Sequence, residues 1–541
     1  MVTRTVGAFV LLTLAAFGCE TEDPLYCDDE TACEDPERPF CDLEGTYPAS
    51  EGHGRTCIAE PTFELTMPTD DLYVRTDSQV EVEVMVVRTD GFPDEILLTV
   101  QGLPDGAAAE PISLATGETS ATIVLDAGTA SAGAETTISI VATAGERQRS
   151  ADTRFVVLGP AGSLDPTFGS GGLSIEPQNE ITDEPNGLAV LEDGTFFVGG
   201  HTSNDPPYFL MRYSADGVLD TSFGNDGIRE LDFDSLGLQS CDTPELAPHL
   251  DGMLFATMTC STKDDSRHMV LARFRPDGTF DPDFGDDGIA VHGDIDASQI
   301  DAIATDEQGD IVTAVTITGV PAHIRFRRFN SIGEADETFG GGVLMLDRGD
   351  SHFVNDMTIL PDRSIIGSGS ANDGTSLPFI FRITAQGAME DDFGTDGVVT
   401  LEGATSLRTV VPLADGEFVA AGVVNGERVF WRLNADGTLD EGFGQDGQLI
   451  VTALEGASIS ALLDAGDGYV LGVGGGDAIR MVRFDAETGQ LDSSFGTAGI
   501  ETVPLDPTQY FLAAVLLPDY RFLYLGYSDG PDPFLLARFF R

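Results

Sequence analysis

The chain has 541 residues, 41 % of them hydrophobic, which exceeds one ordinary core and excludes a wholly disordered polymer. Its 28 Lys+Arg against 91 Asp+Glu give a formal net charge of −63. Such a field repels nucleic acid and anionic membrane surfaces, so a nucleic-acid partner is excluded at the sequence level.

The first segment reads as a targeting signal. Arg4 precedes an apolar stretch from Val6 to Phe17, too short to span a bilayer. The run Leu14-Ala15-Ala16-Phe17-Gly18-Cys19 resembles a bacterial lipobox, with Ala16 where leucine is usual. The resemblance implies cleavage after residue 18 and lipidation of Cys19, hence a chain anchored to a membrane by its N-terminal lipid, in the cell envelope at the outer membrane or cell surface. Seven cysteines are present; setting Cys19 aside leaves an even six.

Residues 19–60 carry Cys27, Cys33, Cys41 and Cys57, with 13 acidic residues between positions 20 and 60 against Arg38 and Arg55. So little apolar material builds no core, and disulfides would hold this stalk. The spacing leaves the pairing of the four cysteines open. Residues 61–158 alternate with period two, as in Val80-Glu81-Val82-Glu83-Val84, and short apolar runs follow at turn-separated intervals. This predicts a β-sandwich, and Gly102-Leu103-Pro104-Asp105-Gly106 after a strand resembles bacterial Ig-like modules.

From residue 160 the sequence repeats. Phe-Gly pairs begin at Phe168, Phe223, Phe284, Phe339, Phe393, Phe443 and Phe495, with spacings of 55, 61, 55, 54, 50 and 52. Turn signals such as Asp193-Gly194, Asp415-Gly416 and Asp467-Gly468 precede apolar runs that end in small residues. Four short strands per unit of this length predict propeller blades. The segment Met211-Arg212-Tyr213-Ser214-Ala215-Asp216-Gly217-Val218-Leu219-Asp220-Thr221-Ser222-Phe223-Gly224, with its counterparts from Ala272 and Trp431, resembles the delta-60 repeat of bacterial secreted and surface proteins. That resemblance implies a propeller-like fold and no particular activity. The expected fold class is all-β: a seven-bladed β-propeller over 160–541, made of four-stranded blades, preceded by the sandwich and the Cys-rich segment.

The ends of the repeat region complement each other. The segment around Asp165 and Phe168 has no arginine strand before it, and the strand around Arg538 has no Phe-Gly after it. The ring is therefore expected to close through the C-terminal strand, bringing Arg538 to Asp165.

A recurring arginine is followed eight residues later by an acid: Arg212 and Asp220, Arg273 and Asp281, Arg328 and Asp336, Arg382 and Glu390, Arg432 and Asp440. Arg483 and Asp492 follow the pattern with one insertion. Recurrence in every unit marks structure rather than a single active site, so these are expected as buried bidentate ion pairs. The Phe is expected between blades, and the Gly at positive φ. Cys241 and Cys260 flank the Asp251-Gly252 turn, which predicts a cross-strand disulfide.

No HExxH, GxSxG or EF-hand pattern is present, so no catalytic residue and no cofactor is assigned. Acidic turns such as Asp286-Asp287-Gly288 could offer oxygens to Ca²⁺, but Asp-Gly also serves as plain turn chemistry. Arg348-Gly349-Asp350-Ser351 spells an adhesion tetrapeptide that a Gly- and Asp-rich chain reaches by chance. The function expected is that of a monomeric, non-enzymatic surface lipoprotein that binds a protein or glycan. A propeller hydrolase or lyase acting on a surface polymer, and a Ca²⁺-dependent adhesion protein, are the alternatives.

Overall fold

A computed structural model describes residues 40–42, 56–58 and 62–541, apart from 90–91, 93, 177–183, 202–207, 234–235, 250–251, 265, 294–296, 318–321, 348–350, 373–375, 455–456 and 528–533. The signal segment, Cys19, Cys27, Cys33 and most of the adhesion-like tetrapeptide lie outside these residues. Phe40–Asp42 and Thr56–Ile58 pair antiparallel, with Cys41 opposite Cys57 in the backbone register.

The chain forms two compact units, residues 1–130 with 135–157, and residues 131–134 with 158–541. In the first, two antiparallel sheets follow the period-two pattern. One contains Thr62–Thr66, Gln79–Thr89 and Ser120–Asp126; the other contains Ile96–Gln101, Glu135–Ala144 and Arg147–Leu158. Along Gln79–Thr89 the side chains of Val82, Val84 and Val86 are buried while Glu81, Glu83 and Met85 are exposed, as strand pleating dictates.

The second unit is a succession of antiparallel sheets, each joining neighbours in sequence. Sheet I comprises Glu184–Val190, Phe196–His201, Tyr208–Tyr213 and Ile228–Leu231. Sheet II has Leu238–Cys241 and Glu245–Pro248 both paired to Leu254–Thr262, then Arg267–Phe274 and Ile289–His292. Sheets III, IV and V begin with Ala297–Thr305, Ser351–Ile359 and Ala404–Pro412 and have four strands each. A seven-stranded sheet follows, running from Ala461–Gly466 to Leu173–Glu176. It shares the long strand Ile500–Leu516, whose first part pairs with Gly476–Asp485 and whose last part pairs with Arg521–Tyr527.

Ring closure is visible in two places. Phe534–Phe540 pairs on one side with Arg521–Tyr527 and on the other with Leu173–Glu176, from the beginning of the unit. The first strands of successive sheets also touch in a cycle, from Glu184–Val190 through each following sheet to Ile500–Leu516 and back. Separate apolar clusters fill the spaces between consecutive sheets; one packs Phe168, Phe196 and Met211 against Leu523, Leu525 and Leu536.

Candidate functional site

The Phe-Gly segment makes the contact between neighbours. All seven Phe rings are buried, at no more than 1 % exposure. The glycine after each has φ between 49° and 59°, and an added Cβ would collide with nearby backbone, as at Gly394, where it would meet Val398 O. Each ring lies against a turn glycine of the following unit, Phe168 on Gly217, Phe223 on Gly278 and so on; a Cβ there would come within 3.1 Å of the ring. The last, Phe495, meets Gly162.

In four units the arginine lies above its own Phe, with the guanidinium carbon 5.1 Å from the ring of Phe284 for Arg273, 4.9 Å from Phe339 for Arg328, 5.0 Å from Phe495 for Arg483 and 5.1 Å from Phe168 for Arg538, while Arg382 lies over Phe418 at 5.7 Å. Four of the expected pairs form close contacts. Arg273 Nε donates to Asp281 Oδ2 at 2.7 Å and Arg328 Nε to Asp336 Oδ2 at 2.9 Å. Arg483 Nε donates to Asp492 Oδ2 at 2.7 Å, and Arg538 Nε to Asp165 Oδ2 at 2.8 Å.

The expected two-oxygen fork is not what these pairs use. Nε and Nη2 both address Oδ2, as in Arg273 and Arg328. Oδ1 instead accepts from the residue two positions on. Thr338 N and Oγ1 lie 2.9 and 2.6 Å from Asp336 Oδ1, and Thr167 N and Oγ1 lie 3.0 and 2.7 Å from Asp165 Oδ1. One aspartate thus closes an Asx turn with one oxygen and holds the arginine with the other.

Three pairs differ from expectation. Arg382 makes no ion pair with Glu390; its acidic neighbour is Asp362, 3.7 Å away. Glu390 keeps the backbone bond to Arg382 O, but its extra methylene does not suit the short Asx turn. Arg432 is shared among Glu417 at 2.6 Å, Asp415 at 2.7 Å and the expected Asp440 at 3.3 Å. Arg212 and Asp220 stand 3.4 Å apart with both side chains partly exposed.

Nη1 of six of these arginines reaches the next unit. It donates to Pro276 O from Arg212 (2.9 Å), to Ala385 O from Arg328 (2.6 Å) and to Ala435 O from Arg382 (3.0 Å). Arg273, Arg432 and Arg538 do the same to Ser331, Ala486 and Ala215. The Arg538 bond joins the end of the chain to the start of the repeat region. Sequence reasoning misses these bonds because a backbone acceptor has no residue signature.

Burial by itself would raise the Asp165 carboxyl, but Arg538, Thr167 and Arg521 outweigh it and hold it below the usual range. For Asp336 the Thr338 hydroxyl, together with Arg328, lowers the carboxyl to about 2. A second set of acids moves the other way. Glu245, Asp301 and Asp356 lie on first strands of successive sheets. Glu245 accepts from Asn186 Nδ2 at 2.8 Å; Asp301 accepts from Val354 N at 3.3 Å, and Asp356 from Thr409 Oγ1 at 2.7 Å, each across a sheet boundary. Burial pushes Glu245 up to about 7, with Asp301 adding to it, and Asp301 up to about 6; Asp356 is raised as well.

Cys241 and Cys260 are joined by a disulfide and stand opposite each other in the strand register. Among the described residues no three His, Cys, Asp or Glu side chains form a metal-binding group. Among them, too, no helix is long and apolar enough to cross a membrane.

These repeats define a β-propeller class of protein. Residues 191–223, 260–284 and 413–443 match a family model described as a domain of unknown function (DUF5122) beta-propeller. Among solved structures, a quinonprotein alcohol dehydrogenase-like protein from Bacteroides thetaiotaomicron is 11 % identical, covering 83 % of this chain and 98 % of that one, with a TM-score of 0.34. A Hadza microbial sialidase is 10 % identical over 88 % and 98 % of the two chains, also at 0.34. Domains 4 and 5 of the S-layer protein SbsC are 18 % identical over 19 % of this chain, which spans about half (49 %) of that fragment, at 0.15. Comparison with curated proteins gives no match.

Proposed function

We propose that the chain is a non-enzymatic, lipid-anchored surface protein that presents a seven-bladed propeller for binding a protein or glycan. The observation that carries this reading is the use made of the recurring polar residues. The Phe-Gly of each unit, and the arginine of six of them, fasten that unit to its neighbour, while the acid closes the turn of its own unit. A scaffold of that kind holds its variable loops rigidly, which suits recognition. The count of seven rests on the seven Phe rings, the last of which returns to Gly162. In this reading Cys19 carries the lipid, residues 19–60 form a stalk, residues 61–158 are an Ig-like spacer, and the protein is monomeric at the outer membrane or cell surface.

A binding screen of residues 20–541 against cell-surface glycans and proteins tests it. A saturable partner with no turnover is expected; turnover of a surface polymer would overturn the reading. Mass spectrometry of the membrane fraction is expected to find an acylated Cys19, and a free N-terminus on soluble protein would contradict the anchor.

A further inference from the structure

The buried aspartates Asp165, Asp281 and Asp492 each face an arginine. Asp301, on the first strand of sheet III, does not. Among the described residues it bonds Thr316 Oγ1 at 2.5 Å and Val354 N at 3.3 Å, both through Oδ2, and nothing else. It is the extra residue of the bulge between Ile300 and Ala302, and Val354 borders the matching bulge of sheet IV. Thr316 Oγ1 also lies 2.8 Å from His352 O, on the backbone of sheet IV. When Asp301 is ionised both of these contacts are with acceptors, and a hydroxyl has one hydrogen to give. The row Asp301 Oδ2, Thr316 Oγ1, His352 O therefore needs a second hydrogen, which a protonated carboxyl supplies. At the next boundary Thr409 Oγ1 serves Asp356 alone among the described residues, and no second hydrogen is called for.

We propose that Asp301 is a proton-operated latch between sheets III and IV. Protonated, it donates to Thr316 Oγ1, which donates on to His352 O; ionised, it takes the Thr316 hydrogen, and the bond to sheet IV is lost. The proton passes to solvent, which reaches the partly exposed Asp301. Burial pushes this carboxyl up to about 6, against the opposing bonds from Thr316 and Val354. The folded value lies above the unfolded aspartate value of about 3.9. The contribution of the latch is therefore complete below about pH 4 and is lost as pH rises through about 6. The strands packed on Ala297–Thr305 bring Glu245 from sheet II, Arg267, His268 and Arg273 from Arg267–Phe274, and His352 and Asp356 from Ser351–Ile359. Glu245 couples to Asp301 by like charge, which favours keeping a proton in the pair.

The latch does not rest on the binding reading above. The test compares the full chain with its Asp301→Asn and Glu230→Gln variants in thermal melts at pH 5 and at pH 7.5. The amide keeps a donor for Thr316 at both pH values and gives up the longer contact to Val354 N. Relative to the parent, Asp301→Asn is expected to gain about 1–3 °C in melting temperature from the lower pH to the higher. Glu230, exposed on sheet I, reads the general effect of removing one negative charge, and Glu230→Gln is expected to show no such gain. A gain no larger than that of Glu230→Gln overturns the latch. Difference infrared spectra of the parent between the two pH values give a second readout that does not depend on the folding of the Asp301 variant. Thr316→Val is expected to shift the protonated-carboxyl band, because the carboxyl loses its acceptor. An unshifted band places that proton elsewhere and overturns the proposal.

Discussion

At the scale of single residues, position in the repeat does not fix the value of an ion pair; burial and geometry do. Arg273 and Asp281 have 8 % and 3 % of their side chains exposed, and Arg212 and Asp220 22 % and 27 %. Removing one partner of a buried pair strands the other charge, so Arg273→Ala is expected to cost about 3–5 kcal/mol. Arg212→Ala is expected to cost about 1 kcal/mol. Urea unfolding of both variants checks the difference, and equal losses would contradict it. The alternation of arginine and acid was legible in the sequence because it recurs. The departures were not. Glu390 preserves charge but not the length that the Asx turn requires, and Glu417 competes for Arg432 from 15 residues away, across a hairpin.

The raised acids give a pH dependence of defined sign. Glu245 titrates at about 7 in the folded protein, above the ordinary glutamate value of about 4.3 in an unfolded chain. The native state therefore holds the proton more tightly. Its contribution is fully present below about pH 4 and is lost as pH rises through about 7. Asp336, held at about 2, acts oppositely: its contribution is present above the unfolded aspartate value and is lost as pH falls through about 2. Stability is thus expected to fall between pH 5 and pH 7.5, and Glu245→Gln to flatten that slope in thermal melts. The general charge of −63 also favours acid conditions, so the comparison with the variant isolates Glu245. An unchanged slope in Glu245→Gln would contradict the assignment.

At the scale of elements, sheet II departs most from the repeat. Its first strand is split into Leu238–Cys241 and Glu245–Pro248, and Asp242-Thr243-Pro244 interrupts it. The disulfide fastens the outlying part to Leu254–Thr262, while the phenol of Tyr208 donates to Cys241 O at 2.6 Å from sheet I. Cross-linking residues separated by 19 positions removes unfolded-chain entropy, so replacing both cysteines by serine is expected to cost about 3 kcal/mol. An equilibrium melt in which the double variant matches the parent would show that the split strand is held without the bridge. The hairpin turn made this pair legible. The polar residues at the starts of the sheets were not, because Asn stands at two of the positions and Asp at the third, and the spacings between Asn186, Asp301 and Asn355 are unequal. Only the bulged register turns Asp301 and Asn355 toward the neighbouring sheet, where Asn355 Nδ2 donates to Leu407 O at 2.8 Å.

At the scale of the molecule, the two ends of the repeat region close the ring. Asp165 is fully buried and receives Arg538 from the last strand and Arg521 from the strand before it, both at 2.8 Å. Leu173–Glu176 pairs with that same last strand, and Phe540 N donates to Ser163 O at 3.1 Å. The last strand is therefore bound on both sides, with its seven residues buried. Removing it strands the Asp165 charge, exposes the edges of two strands and opens the cycle of first strands. The direct measurement is calorimetric unfolding of a chain lacking residues 534–541 beside the full-length protein. Closure predicts loss of the single cooperative transition, or loss of soluble protein, while Arg541→Ala alone melts like the parent. A truncated chain that unfolds cooperatively at the parental temperature would contradict the closed ring.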